Sequence, residues 1–106
     1  MFIVRDDAGE LVGFYSFQTM GNALDIGLGL RPDLTGRGLG SSFVSAGLQF
    51  ARSRFSPEKI QLRVAAFNTR AINVYKRAGF VEVEHFMNQT NGGEFDFIRM
   101  VLASDR

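Results

Sequence analysis

A glycine-rich segment in the first half of the chain has the composition of a site for an anionic ligand. The segment Gly36-Arg37-Gly38-Leu39-Gly40-Ser41 follows an apolar run with strand spacing and precedes an amphipathic pattern with helical spacing. Glycines let backbone N–H groups approach a ligand closely, and a helix start adds unpaired N–H groups at the positive end of its dipole. Arg31 and Arg37 can add charge-assisted hydrogen bonds. The segment predicts a phosphate or pyrophosphate site, with a ligand-free turn as the alternative.

Two common nucleotide-binding motifs do not fit this segment. A Walker A loop needs a lysine directly after its last glycine, and none is present. A Rossmann fingerprint that starts at Gly36 needs a glycine at position 41, where the chain has Ser41, and an acidic residue at the end of the next strand. The run 60–64 supplies no acidic residue. An NTPase and a dinucleotide oxidoreductase are therefore disfavoured.

The charge of the chain is concentrated in its middle. The formal net charge is +1, but residues 31–77 hold nine basic and two acidic residues, whereas 1–30 and 78–106 each have a net charge of −3. A basic middle between acidic ends favours an anionic ligand, and solvated helix faces are the alternative. Because the basic residues are dispersed and 78–106 is acidic, a nucleic-acid partner is not expected.

Composition narrows the class of protein further. The 106 residues are 45% hydrophobic and 22% charged, which is typical of one globular domain or part of one. The absence of cysteine excludes disulfides and thiolate metal sites, and a single His85, expected to be structural, excludes a multi-histidine zinc site. No metal is expected. No apolar run reaches the ~20 residues of a membrane span, and the N-terminus lacks the pattern of a secretion signal, so no membrane partner and a cytoplasmic location are expected.

The periodicity of apolar residues predicts a mixed α/β fold with the order β-β-β-α-β-α-β-β. The glycine-rich segment lies between the third strand and the first helix, and Asn68 and Gly79 are expected to cap the second helix. The strand-helix-strand units imply at least one parallel crossover. The eleven phenylalanines are expected to be core residues. The predicted elements are a hairpin over 2–17, a strand over 23–30, a helix over about 39–54, a strand over 60–64, a helix after Asn68, and strands over 80–85 and 94–102.

Two motifs resemble those of the GNAT superfamily of N-acetyltransferases. The run Pro32-Asp33-Leu34-Thr35-Gly36-Arg37-Gly38-Leu39-Gly40 resembles its acetyl-CoA loop, [QR]-x-x-G-x-[GA], with Gly38 and Gly40 at the glycine positions and Thr35 in place of Gln or Arg. The run Asn68-Thr69-Arg70-Ala71-Ile72-Asn73-Val74-Tyr75-Lys76-Arg77-Ala78-Gly79-Phe80 resembles its second signature, N-x-x-A-[IL]-x-x-Y-x-[KR]-x-G-F. The motifs occur in the family's order and separation, and the resemblance covers about residues 10–100.

The resemblance implies a GNAT-like acyl-CoA N-acyltransferase fold over a single domain, 1–106, that lacks the usual N-terminal strand and helices. It implies an N-acetyltransferase that transfers acetyl from acetyl-CoA to a primary amine of a small molecule or peptide by direct attack. A non-catalytic CoA-binding or regulatory module is the alternative. The expected partners are acetyl-CoA and an amine acceptor. A homodimer is also expected, because the first strand would otherwise be a bare sheet edge.

The resemblance also implies the residues that bind acetyl-CoA. The strand that ends at Leu30 would separate from its parallel neighbour at 60–65, and the pantetheine arm would lie between them. Gly27 and Gly29 fit either a close approach of that arm or an ordinary bulge, and Asn68 fits either a pantetheine contact or a helix cap. The implied cofactor-binding residues are Leu28, Leu30, Arg31, Gly36, Arg37, Gly38, Leu39, Gly40, Ser41, Asn68, Ala71 and Tyr75.

Tyr75 and Asp25 are the first candidates for catalysis. By its place in the second signature, Tyr75 would protonate the leaving thiolate, which is chemically reasonable for a phenol with a pKa near 10 and a thiol with a pKa near 8.5. A core aromatic is the alternative role for Tyr75. Asp25 is the candidate base, acting directly or through water, and Glu82 and Glu84 are further candidates. A solvated strand residue is the alternative for each of these three.

Overall fold

The computed structural model describes residues 2–5, 7–30, 39–90 and 92–103. A single six-stranded sheet of order β1-β2-β3-β4-β6-β5 is formed by these residues, together with two helices. Only β3 and β4 pair in parallel, and they are connected through α1, as predicted. The predicted α/β order is confirmed. The elements are β1 (Phe2–Arg5), β2 (Leu11–Met20), β3 (Ala23–Leu30), α1 (Leu39–Phe55), β4 (Lys59–Ala65), α2 (Thr69–Arg77), β5 (Val81–Thr90) and β6 (Gly93–Ala103).

Both helices pack on one face of the sheet. On β3 and β4 the apolar residues alternate with polar or small ones, so one face of each strand is apolar and packs against the helices. We call this the helix face and the opposite one the open face. Neither of the two helices packs on the open face. The buried cluster consists of Leu24, Ile26, Val44, Leu48, Ala51, Ile60, Leu62, Val64, Ile72, Phe80, Ile98, Met100 and Leu102.

The phenylalanines do not all lie in this core. Phe43 and Phe80 are buried, but Phe2 and Phe50 form an edge-to-face pair that remains partly exposed, with ring centroids 5.0 Å apart. Phe67, in the turn before α2, is 76% exposed. The expectation that the phenylalanines are core residues is therefore wrong for the six that are exposed, which are Phe2, Phe14, Phe50, Phe55, Phe67 and Phe95. Apolar composition reports the tendency to be buried, whereas chain position decides which rings the small core can enclose.

An irregularity in β5 separates two glutamates that simple alternation places together. Glu82 pairs in register with Met100 and Glu84 pairs with Arg99, so Val83 is an extra residue on this strand. Such a bulge reverses the alternation of the residues that follow. Glu82 therefore lies on the helix face and Glu84 on the open face. Regular alternation over the predicted strand 80–85 would have placed both glutamates on one face, and the bulge prevents this.

Both helices are too short or too polar to span a bilayer, as far as the described part of the chain shows.

Candidate functional site

The parallel strands β3 and β4 are held together at one end and separate at the other. Their pairing begins at Ala23 with Lys59 and ends at Asp25 with Gln61. The beginning is reinforced because the Asn22 side chain donates to the Glu58 carboxylate at 2.9 Å, and the Glu58 N–H donates to the Asn22 carbonyl at 3.2 Å. Beyond Asp25 and Gln61, each strand is paired only on its outer side, β3 with β2 and β4 with β6.

The facing edges of β3 and β4 therefore border an open wedge, which we call the cleft, between residues 26–30 and 62–65. The separation of these two strands agrees with the expectation from the family resemblance. Backbone N–H and C=O groups on facing strand edges are hydrogen-bonding groups that require partners. An extended chain with amide groups, such as a pantetheine arm, matches such edges in the manner of an added strand. Leu28 and Leu30 lie on the β3 side of this cleft.

The first helix begins next to the open end of this strand pair. Its first turn contains no acidic residue, which is compatible with an anion at the positive end of the helix dipole. Gly40 and Ser41 lie in this turn, and a Cβ atom at Gly40 would be an ordinary 3.6 Å from Val74 Cγ2. Leu39 starts the helix. The remaining predicted loop residues, Arg31, Gly36, Arg37 and Gly38, lie outside the described part of the chain.

The second helix has a defined cap at each end. The Asn68 side chain accepts a hydrogen bond from the Ala71 N–H at 3.3 Å, which confirms its capping role. At the other end, the Gly79 N–H donates to the Lys76 carbonyl and the Phe80 N–H donates to the Tyr75 carbonyl, both at 3.0 Å. Gly79 has a φ of +109°, which favours glycine. This pattern is a Schellman cap, and it fixes the last turn that carries Tyr75.

Tyr75 is partly buried between this cap and the core. Its ring stands edge-on to Phe80, with centroids 6.0 Å apart, and packs against the buried cluster. Burial raises the pKa of Tyr75 above its ordinary value because the charged phenolate is poorly solvated there. The phenol is protonated at neutral pH, as it is at the ordinary pKa of tyrosine. The packing confirms a core-aromatic role for Tyr75, and its role as an acid stays a prediction.

Asp25 lies at the point where the cleft opens. Its side chain is only 11% exposed, and its Oδ2 atom accepts from Arg63 Nη2 at 2.8 Å. Its Oδ1 atom accepts from Gln61 Nε2 at 3.3 Å. The alternative of a solvated strand residue is therefore wrong for Asp25. Buried carboxylates are found with such partners because an unpaired buried charge is costly.

The polar contacts of Asp25 continue across the open face. Arg99 donates from Nη1 to Gln61 Oε1 at 3.3 Å and from Nε to Glu84 Oε1 at 2.9 Å. The row formed by Asp25, Gln61, Arg63, Arg99 and Glu84 crosses β3, β4, β6 and β5, and we call it the polar row. Sequence reasoning missed Gln61, Arg63 and Arg99. The alternation of β4 indicated a polar face, but the partners across the sheet depend on register.

Glu82 lies away from the polar row. On the helix face, its carboxylate contacts Lys76 Nζ at 3.0 Å and His85 Nε2 at 3.3 Å. The hydrogen bond from Lys76, and then that from His85, lower the pKa of Glu82. His85 thus takes part in a surface ion-pair cluster, consistent with the structural role expected for it.

The two glycines of β3 accommodate side chains from β2. The register between β2 and β3 is continuous from Gly13 with Leu30 to Met20 with Ala23, so β3 has no bulge. A Cβ atom at Gly29 would lie 2.1 Å from the Phe14 ring, and one at Gly27 would lie 2.4 Å from Ser16 Oγ. The bulge alternative is therefore wrong, and both positions are glycine because side chains of the neighbouring strand occupy the space.

The described residues fit an acyl-CoA molecule in two respects. The cleft exposes backbone edges to an amide-containing arm, and the first turn of α1 carries no negative charge to repel a phosphate. Residues 1–80 match the model of the acetyltransferase (GNAT) family, and the chain belongs to this family.

Its relatives include mycothiol acetyltransferases and a spermidine acetyltransferase. The chain is 37% identical over 81 residues to a mycothiol acetyltransferase from Clavibacter sepedonicus, an alignment that covers 76% of this chain and 26% of that protein. It is 24% identical over 110 residues to a spermidine N(1)-acetyltransferase from Vibrio cholerae, covering 99% of this chain and 64% of that protein. The chain thus spans about a quarter of the length of the mycothiol acetyltransferases that it matches.

A similar solved structure supports the fold assignment. The crystal structure of spermidine N-acetyltransferase from Vibrio cholerae in complex with CoA and spermine superposes with a TM-score of 0.82 at 24% identity. The match covers 95% of this chain and 63% of that chain. The strand order and helix placement described above are therefore those of a GNAT fold.

Proposed function

We propose that this chain binds acetyl-CoA and transfers its acetyl group to a primary amine. The proposal rests on the cleft between β3 and β4. This cleft opens at Asp25 and Gln61 and leaves two strand edges facing one another. The pantetheine arm would lie in this cleft beside Leu28 and Leu30. The pyrophosphate would lie at the start of α1, near Gly40 and Ser41 and the loop residues Arg31, Gly36, Arg37, Gly38 and Leu39.

Acetyl-CoA supplies an activated thioester, whose carbonyl carbon forms a bond to the amine nitrogen as the bond to sulfur breaks. Tyr75 donates its phenolic proton to the leaving thiolate, a role supported by its place in the second signature. Asp25 accepts the proton that the acceptor ammonium must lose, directly or through water. The caps at Asn68 and Gly79 fix the two ends of α2, which carries Ala71 and Tyr75.

Binding is tested by calorimetric titration of acetyl-CoA into the chain, with NADH and ATP as controls. Micromolar binding of acetyl-CoA, without binding of the two controls, is expected. Gly38→Glu should abolish that binding, because a carboxylate would fill the predicted loop and repel phosphate. Undiminished affinity in this variant would contradict the loop assignment.

Turnover is tested by release of free CoA thiol in the presence of a panel of amines. The chain contains no cysteine, so a thiol reagent reports only the CoA product. A second candidate function is a non-catalytic CoA-binding module, which is favoured by an open face on which neither helix packs. Acetyl-CoA binding without thiol release for any amine would support this second function.

A further inference from the structure

Two arginines lie directly opposite one another at the centre of the polar row. Arg63 of β4 and Arg99 of β6 are register partners in an antiparallel pair, so both side chains project from the open face. The Cα atoms of such partners are about 4.5–5.5 Å apart. Like charges in this arrangement destabilise a sheet, and hydrophobic or opposite-charge pairs are the favourable alternatives. A nearby negative charge is therefore needed to offset the repulsion between the two arginines.

The protein supplies part of this compensation from the two outer positions. Asp25 contacts Arg63 on one side and Glu84 contacts Arg99 on the other, at 2.8 and 2.9 Å. The order of charges across the sheet is thus negative, positive, positive, negative. Each carboxylate lies beyond the two arginines, so the space between the guanidinium groups is the most positive part of the row.

Both guanidinium groups keep hydrogen-bond donors for a ligand. A guanidinium has five N–H donors; among the described residues, Arg63 uses one on Asp25, and Arg99 uses one on Glu84 and one on Gln61. The Arg63 side chain is 55% exposed and that of Arg99 is 34% exposed. Their planar donor sets suit a carboxylate or phosphate group.

The arginine pair lies beside the place where acetyl transfer would occur. Arg63 is two residues beyond Gln61, the last residue of β4 that pairs with β3, and it therefore belongs to the cleft wall. Arg99 is one strand further away, a distance of about 5 Å. The helix face of the cleft is filled by the buried cluster, so an acceptor reaches the cleft from the open face.

We infer that the acceptor is a small primary amine that also carries an anionic group, and that Arg63 and Arg99 bind this group. The amine would lie near Asp25 at the cleft, and the anion would lie over the arginine pair a few bonds away. This inference rests on the proposed acetyl transfer. A polyamine is disfavoured, because the cationic centre of the polar row would repel its second ammonium group.

Matched acceptors provide the kinetic test. We expect kcat/KM to be about tenfold or more higher for γ-aminobutyrate than for n-butylamine, because hydrogen bonds to a charged group are strong. Phosphoethanolamine against ethanolamine tests whether a phosphate serves as well as a carboxylate. Equal rates within both pairs, or a preference for spermidine, would overturn the inference.

Arg99→Gln tests the residue assignment, because Arg99 does not contact Asp25 in the described structure. Its KM for the preferred anionic amine should rise about tenfold, whereas the KM for acetyl-CoA and the rate with n-butylamine should not change. Arg54→Gln, on the exposed end of α1, is the matched control and should behave like the parent chain. An unchanged KM in Arg99→Gln would refute the assignment.

A binding measurement separates this inference from the proposed function. In the isotope-labelled chain, γ-aminobutyrate should shift the side-chain N–H resonances of Arg63 and Arg99, and n-butylamine at equal ionic strength should not. Absence of these shifts at tens of millimolar overturns the inference, even if acetyl-CoA binds and is turned over. Absence of acetyl-CoA binding, with these shifts present, would instead overturn the proposed function.

Discussion

The ring of Phe80 stands edge-on to the ring of Tyr75, and the Phe80 N–H donates to the Tyr75 carbonyl at 3.0 Å. These two contacts join the residue after the helix cap to the residue in the last turn that carries the phenol. Gly79 makes the connection because its φ of +109° directs the chain back over the helix end. Gly79 and Phe80, at the end of the second signature, thus fix the orientation of Tyr75.

Gly79→Ala should destabilise the fold through this cap. The backbone conformation at Gly79 is unfavourable for an L residue, and a Cβ atom would lie 2.9 Å from Leu102 Cδ1. We expect the free energy of unfolding to fall by about 1–3 kcal/mol. Gly40→Ala is the control, because its Cβ atom meets only an ordinary contact in α1 and should stabilise by up to ~1 kcal/mol. Urea unfolding measures both, and equal stability of the two variants would contradict the cap argument.

Replacing each of the two tyrosines by phenylalanine should have a different effect, on turnover in one case and on stability in the other. Tyr75→Phe should lower turnover about 100-fold with little change in acetyl-CoA affinity, because it removes the proposed proton donor. Tyr15→Phe should leave turnover unchanged but cost about 1 kcal/mol of stability, because the Tyr15 hydroxyl donates to the Phe43 carbonyl at 2.6 Å. Steady-state rates and urea unfolding of both variants test this pair. Full turnover in Tyr75→Phe would eliminate the acid role.

Both tyrosines should titrate at higher pH than in the unfolded chain. Burial raises the pKa of Tyr15 and of Tyr75, and the chain contains only these two tyrosines and no tryptophan. Between the unfolded and folded pKa values, the folded protein holds protons that the unfolded chain has released. Stability is therefore complete below the ordinary tyrosine pKa and falls as pH rises above it. Phenolate absorbance in native and urea-unfolded samples measures the shift, and coincident titration curves would disprove it.

Asp25→Asn should lower turnover, and Glu82→Gln should not. Asp25 lies where the cleft opens, whereas Glu82 lies on the helix face in contact with Lys76 and His85. Both substitutions keep the side-chain shape and remove one carboxylate, so each controls for the other. Saturating acetyl-CoA and a saturating amine allow kcat to be compared directly. A larger loss of kcat in Glu82→Gln than in Asp25→Asn would indicate a base on the helix face and would contradict the role proposed for Asp25.

The chain is expected to self-associate through β1. This four-residue strand is the first of the sheet order and pairs with β2 alone among the described strands, and Ile3 on it is 49% exposed. Edge strands of this kind are usually covered. Light scattering at tens of micromolar should show a dimer, and Ile3→Lys should shift it towards monomer. A monomeric parent chain would reject the expectation.

Features that depend only on neighbouring residues could be predicted from the sequence. The Asn68 cap and the Gly79 C-terminus of α2 follow from local hydrogen bonding, and both agree with the structure. The element order follows from periodicity, which is also local. The two signature motifs were sufficient to indicate the family that the comparison of residues 1–80 established.

The polar groups that meet on the open face could not be predicted from the sequence, because their meeting depends on how the strands pair. The bulge at Val83 placed Glu82 and Glu84 on opposite faces, and the insertion of β6 between β4 and β5 brought Arg99 opposite Arg63. The contacts of the polar row join residues that are distant in sequence, from 15 positions for Glu84 and Arg99 to 38 for Asp25 and Arg63. Register is fixed by the pairing of whole strands and by burial of one face, so no short run of sequence could specify it.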